Sequence, residues 1–298
     1  MVTPPYLKPG DSIGLVSTAR KITSEELLPA LSLLKKFGLK AVLGNTINAR
    51  ENQYAGGDAL RANDFQLMLD NPNIKAIWCA RGGYGTVRII DALDFGNFKK
   101  NPKWIIGYSD VTVLHSHIHQ FGIETLHANM PSEIAKKTEA TRTTLKNALF
   151  GNDHEIAIHT SNTLNRKGQA VGEVVGGNLS ILYSLCGSPS SLNTAGKILF
   201  IEDLDEYLYH IDRMILNLKR NEMFKDLVGL LVGGFSDIHD NSVPFGKTAQ
   251  EIILEAVSEF DFPVCFDVPA GHVHDNQALI MGRKASLSVL DTGAVLKF

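Results

Sequence analysis

Short apolar runs rich in β-branched residues alternate with stretches of helical periodicity through the first half of the chain, the signature of parallel βαβ units. SIGLVST (residues 12–18) predicts a buried strand, and TSEELLPALSLLKKFG (23–38) an amphipathic helix stopped by Gly38. The pattern then recurs: strand 40–43, helix 57–69, strand 74–80, a short helix at 87–93, strand 104–108, and a helix over 110–122 ending at Gly122. The texture changes after residue 150, where GNDHEIAIHTSNTLNRKGQA is polar and turn-rich. Residues 151–170 are therefore expected to link an N-terminal domain (1–150) to a C-terminal one (171–298). The later part predicts strands at 171–175, 197–202, 227–234, 263–268 and 278–281 and a closing hairpin through Asp-Thr-Gly, interrupted by helices at 207–220 and 249–260. The fold class is thus α/β, with a parallel-sheet first domain and a β-rich second one.

Composition narrows the field. A chain of 298 residues, 44% hydrophobic and 20% charged, has ordinary globular character. Its formal net charge of -3 offers no field to gather nucleic acid or an anionic membrane, so neither is an expected partner. The opening lacks a basic segment followed by an apolar one, and no apolar run approaches a membrane span, so an unexported, cytoplasmic protein is expected. Cys79, Cys186 and Cys265 lie apart in apolar settings with no CxxC spacing, which reads as core thiols in a reducing compartment. His115 and His119 share a helix face, but no third ligand is evident, so no metal and no cofactor is expected.

Four stretches carry candidate chemistry. In WIIGYSDVTVLHSHI an apolar strand runs into Ser109 and then into a helix, which exposes the serine beside free N–H groups. The second glycine of G-x-S-x-G is missing, and Ser109 or Asp110 would equally serve as a helix cap. CARGGYGT (79–86) places glycines directly after a strand, either as backbone donors for an oxyanion or as a tight turn. It is neither a P-loop nor G-x-G-x-x-G. In FIEDLDEYLYHIDRMI, Glu202 ends an apolar run, where a partly buried carboxylate could orient a base, whereas Asp203, Asp205 and Glu206 read as acids decorating a helix N-terminus. Finally, VPAGHVHDNQ sets His272 in a loop between strands, suited to acid–base work near neutral pH.

RGGYG (81–85), GYSD (107–110), GGNLS (176–180), IED (201–203) and PAGH (269–272) together resemble, in order and spacing, the LD-carboxypeptidase family of serine peptidases. The resemblance runs from KPGDSIGLVSTA to MGRKASLSVL and covers essentially the whole chain. It implies a flavodoxin-like or amidotransferase-like N-terminal domain carrying the nucleophile, Ser109, and a β-rich C-terminal domain carrying the orienting acid, Glu202, and the general base, His272. It further implies backbone N–H groups of Gly82, Gly83 or Asp110 as the oxyanion hole, murein tetrapeptide as the substrate that loses its terminal D-alanine during cytoplasmic peptidoglycan recycling, and a homodimer. A carboxypeptidase must hold a terminal carboxylate, for which Arg81 is a candidate by its guanidinium fork, or else a structural residue bonded to loop carbonyls. The same family includes microcin immunity proteins that hydrolyse peptidyl nucleotides, which is the alternative activity. From a different class, a non-catalytic binding protein using RGGYG for a phosphorylated ligand would need no role for Ser109 or His272.

Overall fold

The computed structural model describes the whole chain, Met1–Phe298. Its elements run β1 (Ser12–Val16), α1 (Leu28–Lys36), β2 (Lys40–Leu43), α2 (Asp58–Asp70), β3 (Ile74–Cys79), α3 (Gly96–Lys100), β4 (Trp104–Gly107), α4 (Thr112–His119), β5 (Thr125–His127), α5 (Glu139–Phe150) and β6 (Glu155–Ile158). They continue with β7 (Gly168–Asn178), α6 (Leu179–Leu185), β8 (Ile198–Leu204), α7 (Leu208–Arg220), β9 (Gly229–Ser236), α8 (Ala249–Ala256), β10 (Val264–Cys265), β11 (Leu279–Met281), β12 (Lys284–Leu290) and β13 (Gly293–Lys297).

Two sheets result. The first has the order β11-β5-β4-β3-β1-β2, parallel except where β11 pairs antiparallel with β5. Both faces are buried: Ile13, Leu15, Trp78, Trp104 and Ile106 pack into one core, and Val16, Ile77 and Ile105 into the other. That burial explains why these strands read as continuous apolar runs rather than as alternating ones. The second sheet has the order β10-β9-β8-β7-β12-β13-β6, parallel from β10 to β7 and antiparallel beyond. The amphipathic α7 and α8 cover one face of its parallel half through Ile211, Ile215, Ile252 and Ile253.

Several expectations differ from the structure. Residues 87–93 form two short 3₁₀ turns, Thr86–Arg88 and Ile90–Ala92, rather than one helix. The helix expected from residue 23 starts at Leu28, with Pro29 in its first turn, where a missing N–H costs nothing. The helix expected from 110 opens with a 3₁₀ turn, Ser109–Val111. The stretch 151–170, expected as a linker, contains β6, whose EIAI alternates exposed and buried residues as a half-covered strand does. The strand expected over 263–268 pairs only at Val264–Cys265. α5, capped by Thr138 and closed by Gly151 at φ 72°, and α6, capped by the Asn178 side chain, were not expected. β11, from the C-terminal part of the chain, extends the first sheet rather than the second.

Candidate active site

At the carboxyl end of β4 the chain turns through Tyr108 into Ser109, whose φ of 59° is a left-handed conformation that few non-glycine residues adopt. Neither Ser109 nor Asp110 caps the helix that follows, since no side-chain cap hydrogen bond is made at either start. Asp110 is buried instead and accepts the Thr86 N–H at 2.8 Å, tying this turn to the glycine loop. Burial raises the Asp110 carboxyl above its ordinary value.

Glu202 lies near the carboxyl end of β8 and is fully buried. Its Oε2 accepts both the His272 backbone N–H, at 3.1 Å, and a hydrogen bond from His272 Nδ1 at 2.6 Å. The His272 loop is held from three sides: Ser236 Oγ donates to the His272 carbonyl (3.0 Å), Gly271 N–H to Asn276 Oδ1 (2.9 Å) and Lys137 Nζ to the Val273 carbonyl (2.7 Å). Burial works against a charged His272 imidazole, but the Glu202 carboxylate, by charge and hydrogen bond, outweighs it with help from Asp203 and Glu133. The net effect is to raise His272 above its ordinary value.

Ser109, Asp110, Arg81, Gly82, Gly83 and His272 all line one cleft of about 600 Å³. Glu202 stands behind His272. A methyl group on Gly82 would sit 3.5 Å from Ser109 Oγ, so the glycine loop passes directly beside this hydroxyl. The Gly82 and Gly83 N–H groups donate to no acceptor in the chain. Arg81 is engaged elsewhere, with its Nη1 on Glu26 at 3.1 Å and on the Lys21 carbonyl at 3.3 Å. A larger cavity of about 910 Å³ is lined by Val273 and Asp275 of the same loop but by none of Ser109, Glu202 and His272.

Three contributors were not legible beforehand. The Tyr108 ring packs against the His272 ring with centroids 4.7 Å apart, and its hydroxyl donates to Glu133 at 2.8 Å. Asp203, expected at a solvated helix N-terminus, is buried because β8 runs on to Leu204, and it accepts from Asn178 Nδ2 and the Ser180 N–H, each at 2.9 Å. Burial and the adjacent Glu202 charge push its carboxyl up to about 7. Arg61 is the third: fully buried, its guanidinium donates to the Gly56 carbonyl at 3.2 Å, to the Gly85 carbonyl at 2.9 Å, and to the Thr18 carbonyl, so it fastens the glycine loop from below. The helical histidines have local partners, His115 at the Gly107 carbonyl (2.9 Å), His117 at Ser190 Oγ (2.9 Å) and His119 at Thr125 Oγ1 (3.2 Å). No helix is long and apolar enough to cross a membrane.

Comparison with known proteins adds sequence-wide similarity to this geometry. A family model described as the LD-carboxypeptidase N-terminal domain matches residues 13–128, and one described as the LD-carboxypeptidase C-terminal domain matches residues 171–287. A Bacillus subtilis (strain 168) protein named probable murein peptide carboxypeptidase is 36% identical over 308 residues, spanning 99% of this chain and 94% of its own. The murein tetrapeptide carboxypeptidase of Pseudomonas aeruginosa is 28% identical over 287 residues, 92% of each chain. In fold, the crystal structure of muramoyltetrapeptide carboxypeptidase from Oxalobacter formigenes superimposes with a TM-score of 0.87 at 24% identity, covering 96% of this chain and 98% of that one.

Proposed function

Because the chain belongs to the LD-carboxypeptidase family and is a serine-type carboxypeptidase, we propose that Ser109, His272 and Glu202 are its catalytic triad, and that it releases terminal D-alanine from murein tetrapeptide by hydrolysing the L,D-peptide bond in cytoplasmic peptidoglycan recycling. The observation that carries this reading is the buried Glu202–His272 pair at 2.6 Å, set on the cleft that Ser109 enters from a left-handed turn.

The chemistry follows from the donors. An ionised Glu202 only accepts hydrogen bonds, so the proton it receives from His272 sits on Nδ1 and the lone pair is left on Nε2. Nε2 takes the Ser109 proton as Oγ attacks the scissile carbonyl, and Glu202 stabilises the imidazolium that forms. The free N–H groups of Gly82 and Gly83, with that of Asp110 at the first turn after β4, are the donors for the developing oxyanion. His272 then protonates the departing amine, and water, activated by the same imidazole, releases the acyl group. The Tyr108 ring limits the swing of the His272 ring during both transfers.

Incubation of the tetrapeptide with the protein, followed by mass spectrometry, should yield tripeptide and free alanine, with no release by Ser109→Ala. Intact tetrapeptide after prolonged incubation with active-concentration enzyme would defeat the proposal. Hydrolysis of a peptidyl nucleotide on the same scaffold has less support, since Tyr183 is the lone aromatic between Asn178 and Lys197 and its ring is packed edge-on against His210.

A further inference from the structure

We propose that Arg20, rather than Arg81, holds the terminal carboxylate of the substrate, an assignment that rests on the carboxypeptidase reading above. Of the carboxylates on the cleft, Glu26 pairs with Arg81 (3.1 Å), Asp205 with His239 (2.7 Å), Glu206 with His210 (2.5 Å) and Glu133 with Lys137 (3.6 Å), while Asp110 and Asp203 are buried and accept hydrogen bonds from the chain. Two cations on the same cleft, Arg20 and Lys136, form no ion pair and no side-chain hydrogen bond within the chain. The exposed charge left without a partner on the cleft is therefore positive, as an anionic peptide end requires.

Between these two, the geometry selects Arg20. Its backbone is fixed, with its N–H donating to the Gly82 carbonyl (3.4 Å) and its own carbonyl accepting from Ser17 Oγ (2.6 Å). Its side chain then lies across Gly83, occupying the space a side chain there would need: a Cβ on Gly83 would meet Arg20 Cδ and Nε at 2.5 Å and Cγ at 2.7 Å. Gly83 has a φ of 109°, so the absence of a Cβ serves both this backbone and the arginine laid over it. The neighbouring Gly82 faces Ser109 Oγ, at 3.5 Å from its own Cβ position. Consecutive residues of one loop thus separate the nucleophile from the guanidinium stem. A carboxypeptidase needs that spacing, because its terminal carboxylate lies one residue, roughly 3.5 Å of extended chain, beyond the scissile carbonyl. A planar fork on a pinned stem also suits a carboxylate better than the point charge of Lys136.

The test compares the tetrapeptide with its C-terminal carboxamide. Wild-type protein should prefer the free acid in kcat/KM by roughly 10- to 100-fold, the scale of a charged hydrogen-bonded contact. Arg20→Met, which keeps the stem, should abolish that preference mainly through KM, and Arg20→Lys should restore part of it. In a Ser109→Ala background, calorimetric affinity for the tetrapeptide should fall by a similar factor when Arg20→Met is added. Retention of the acid preference in Arg20→Met, or its loss in Lys136→Met instead, overturns the assignment. Failure of wild-type protein to release alanine from the acid or alaninamide from the carboxamide would count against the peptidase reading alone. The binding arm then still decides Arg20, and equal affinity for acid and carboxamide in the Ser109→Ala protein would remove it.

Discussion

Gly271→Ala should cripple the site while leaving all three proposed triad residues in place. Gly271 has a φ of 97°, and a Cβ built there would stand 2.6 Å from both Cγ and Oε2 of Glu202 and 2.7 Å from its Cβ. Carbon contacts become comfortable at about 3.5 Å, so the carboxylate or the His272 loop must retreat by roughly 1 Å. The Glu202–His272 hydrogen bond, now 2.6 Å, would then stretch beyond the roughly 3.2 Å at which such a bond is effective. Backbone strain of about 1–2 kcal/mol and overpacking of about 1–3 kcal/mol together predict a loss of about 2–5 kcal/mol in unfolding free energy. A displacement of that size at a catalytic base predicts a fall in kcat on the order of 10²-fold with KM little changed. Urea denaturation and steady-state release of alanine from the tetrapeptide measure the two quantities. In a Glu202→Ala background the Cγ and Oε2 contacts disappear and only the Cβ contact at 2.7 Å remains, so Gly271→Ala should cost less there than in the otherwise wild-type protein. Wild-type stability and kcat in the single variant, or an undiminished stability cost in the Glu202→Ala background, would refute the steric account.

Four further outcomes are expected. Ser109→Ala and His272→Ala should each lower kcat on the order of 10³-fold or more, and the double variant should be scarcely worse than either, because the groups act as a unit; additive losses in kcat would contradict this. Activity should rise with pH through a value above 6.5, since His272 must be neutral to act as base and its folded value is raised; Glu202→Gln should cost less than His272→Ala and shift this limb to lower pH, as burial is no longer offset by the carboxylate charge. The same pairing stabilises the fold below His272's unfolded value and is lost as pH rises through its raised folded value, so the unfolding penalty of Glu202→Gln should be larger at pH 5 than at pH 9; an equal penalty at both would oppose the assignment. Arg61→Met should cost about 3–5 kcal/mol in chemical denaturation by leaving the Thr18, Gly56 and Gly85 carbonyls without their buried donor; a loss below about 1 kcal/mol would show the loop is held by other means.

The sequence made some parts of this molecule readable and hid others for identifiable reasons. β1, β4 and β8 are legible because burial on both faces leaves apolar runs, as is β3, broken only by the exposed Lys75, and Glu202 stands out as a carboxylate ending such a run. β5, at three residues, is too short to show a period. β6 alternates correctly, but its polar neighbours masked it. Asp203 was misplaced because strand pairing carries β8 past the point at which local composition turns acidic. Arg20 and Tyr108 could not have been found from spacing, since their relevance comes from what lies across the cleft: a glycine backbone for one and an imidazole for the other.

The same distinction accounts for the architecture of the site. β1, β3 and β4 run parallel in one sheet, β8, β9 and β10 run parallel in the other, and each candidate catalytic group follows or ends one of these strands at its carboxyl end. Carboxyl ends of parallel strands leave loops and helix starts whose backbone groups are free for a ligand, which makes either sheet alone a plausible place for a binding site. Neither alone suffices for acyl transfer. The first sheet brings Ser109 and unpaired glycine N–H groups to the cleft, and the second brings the Glu202–His272 pair. The two are joined where the Thr112 hydroxyl at the start of α4 accepts the Asn178 N–H at the end of β7, and where Tyr108 lies against His272. With the proposed triad, catalytic competence would be a property of the contact between the sheets. Substitutions that loosen the Thr112–Asn178 contact should depress kcat before they unfold either sheet.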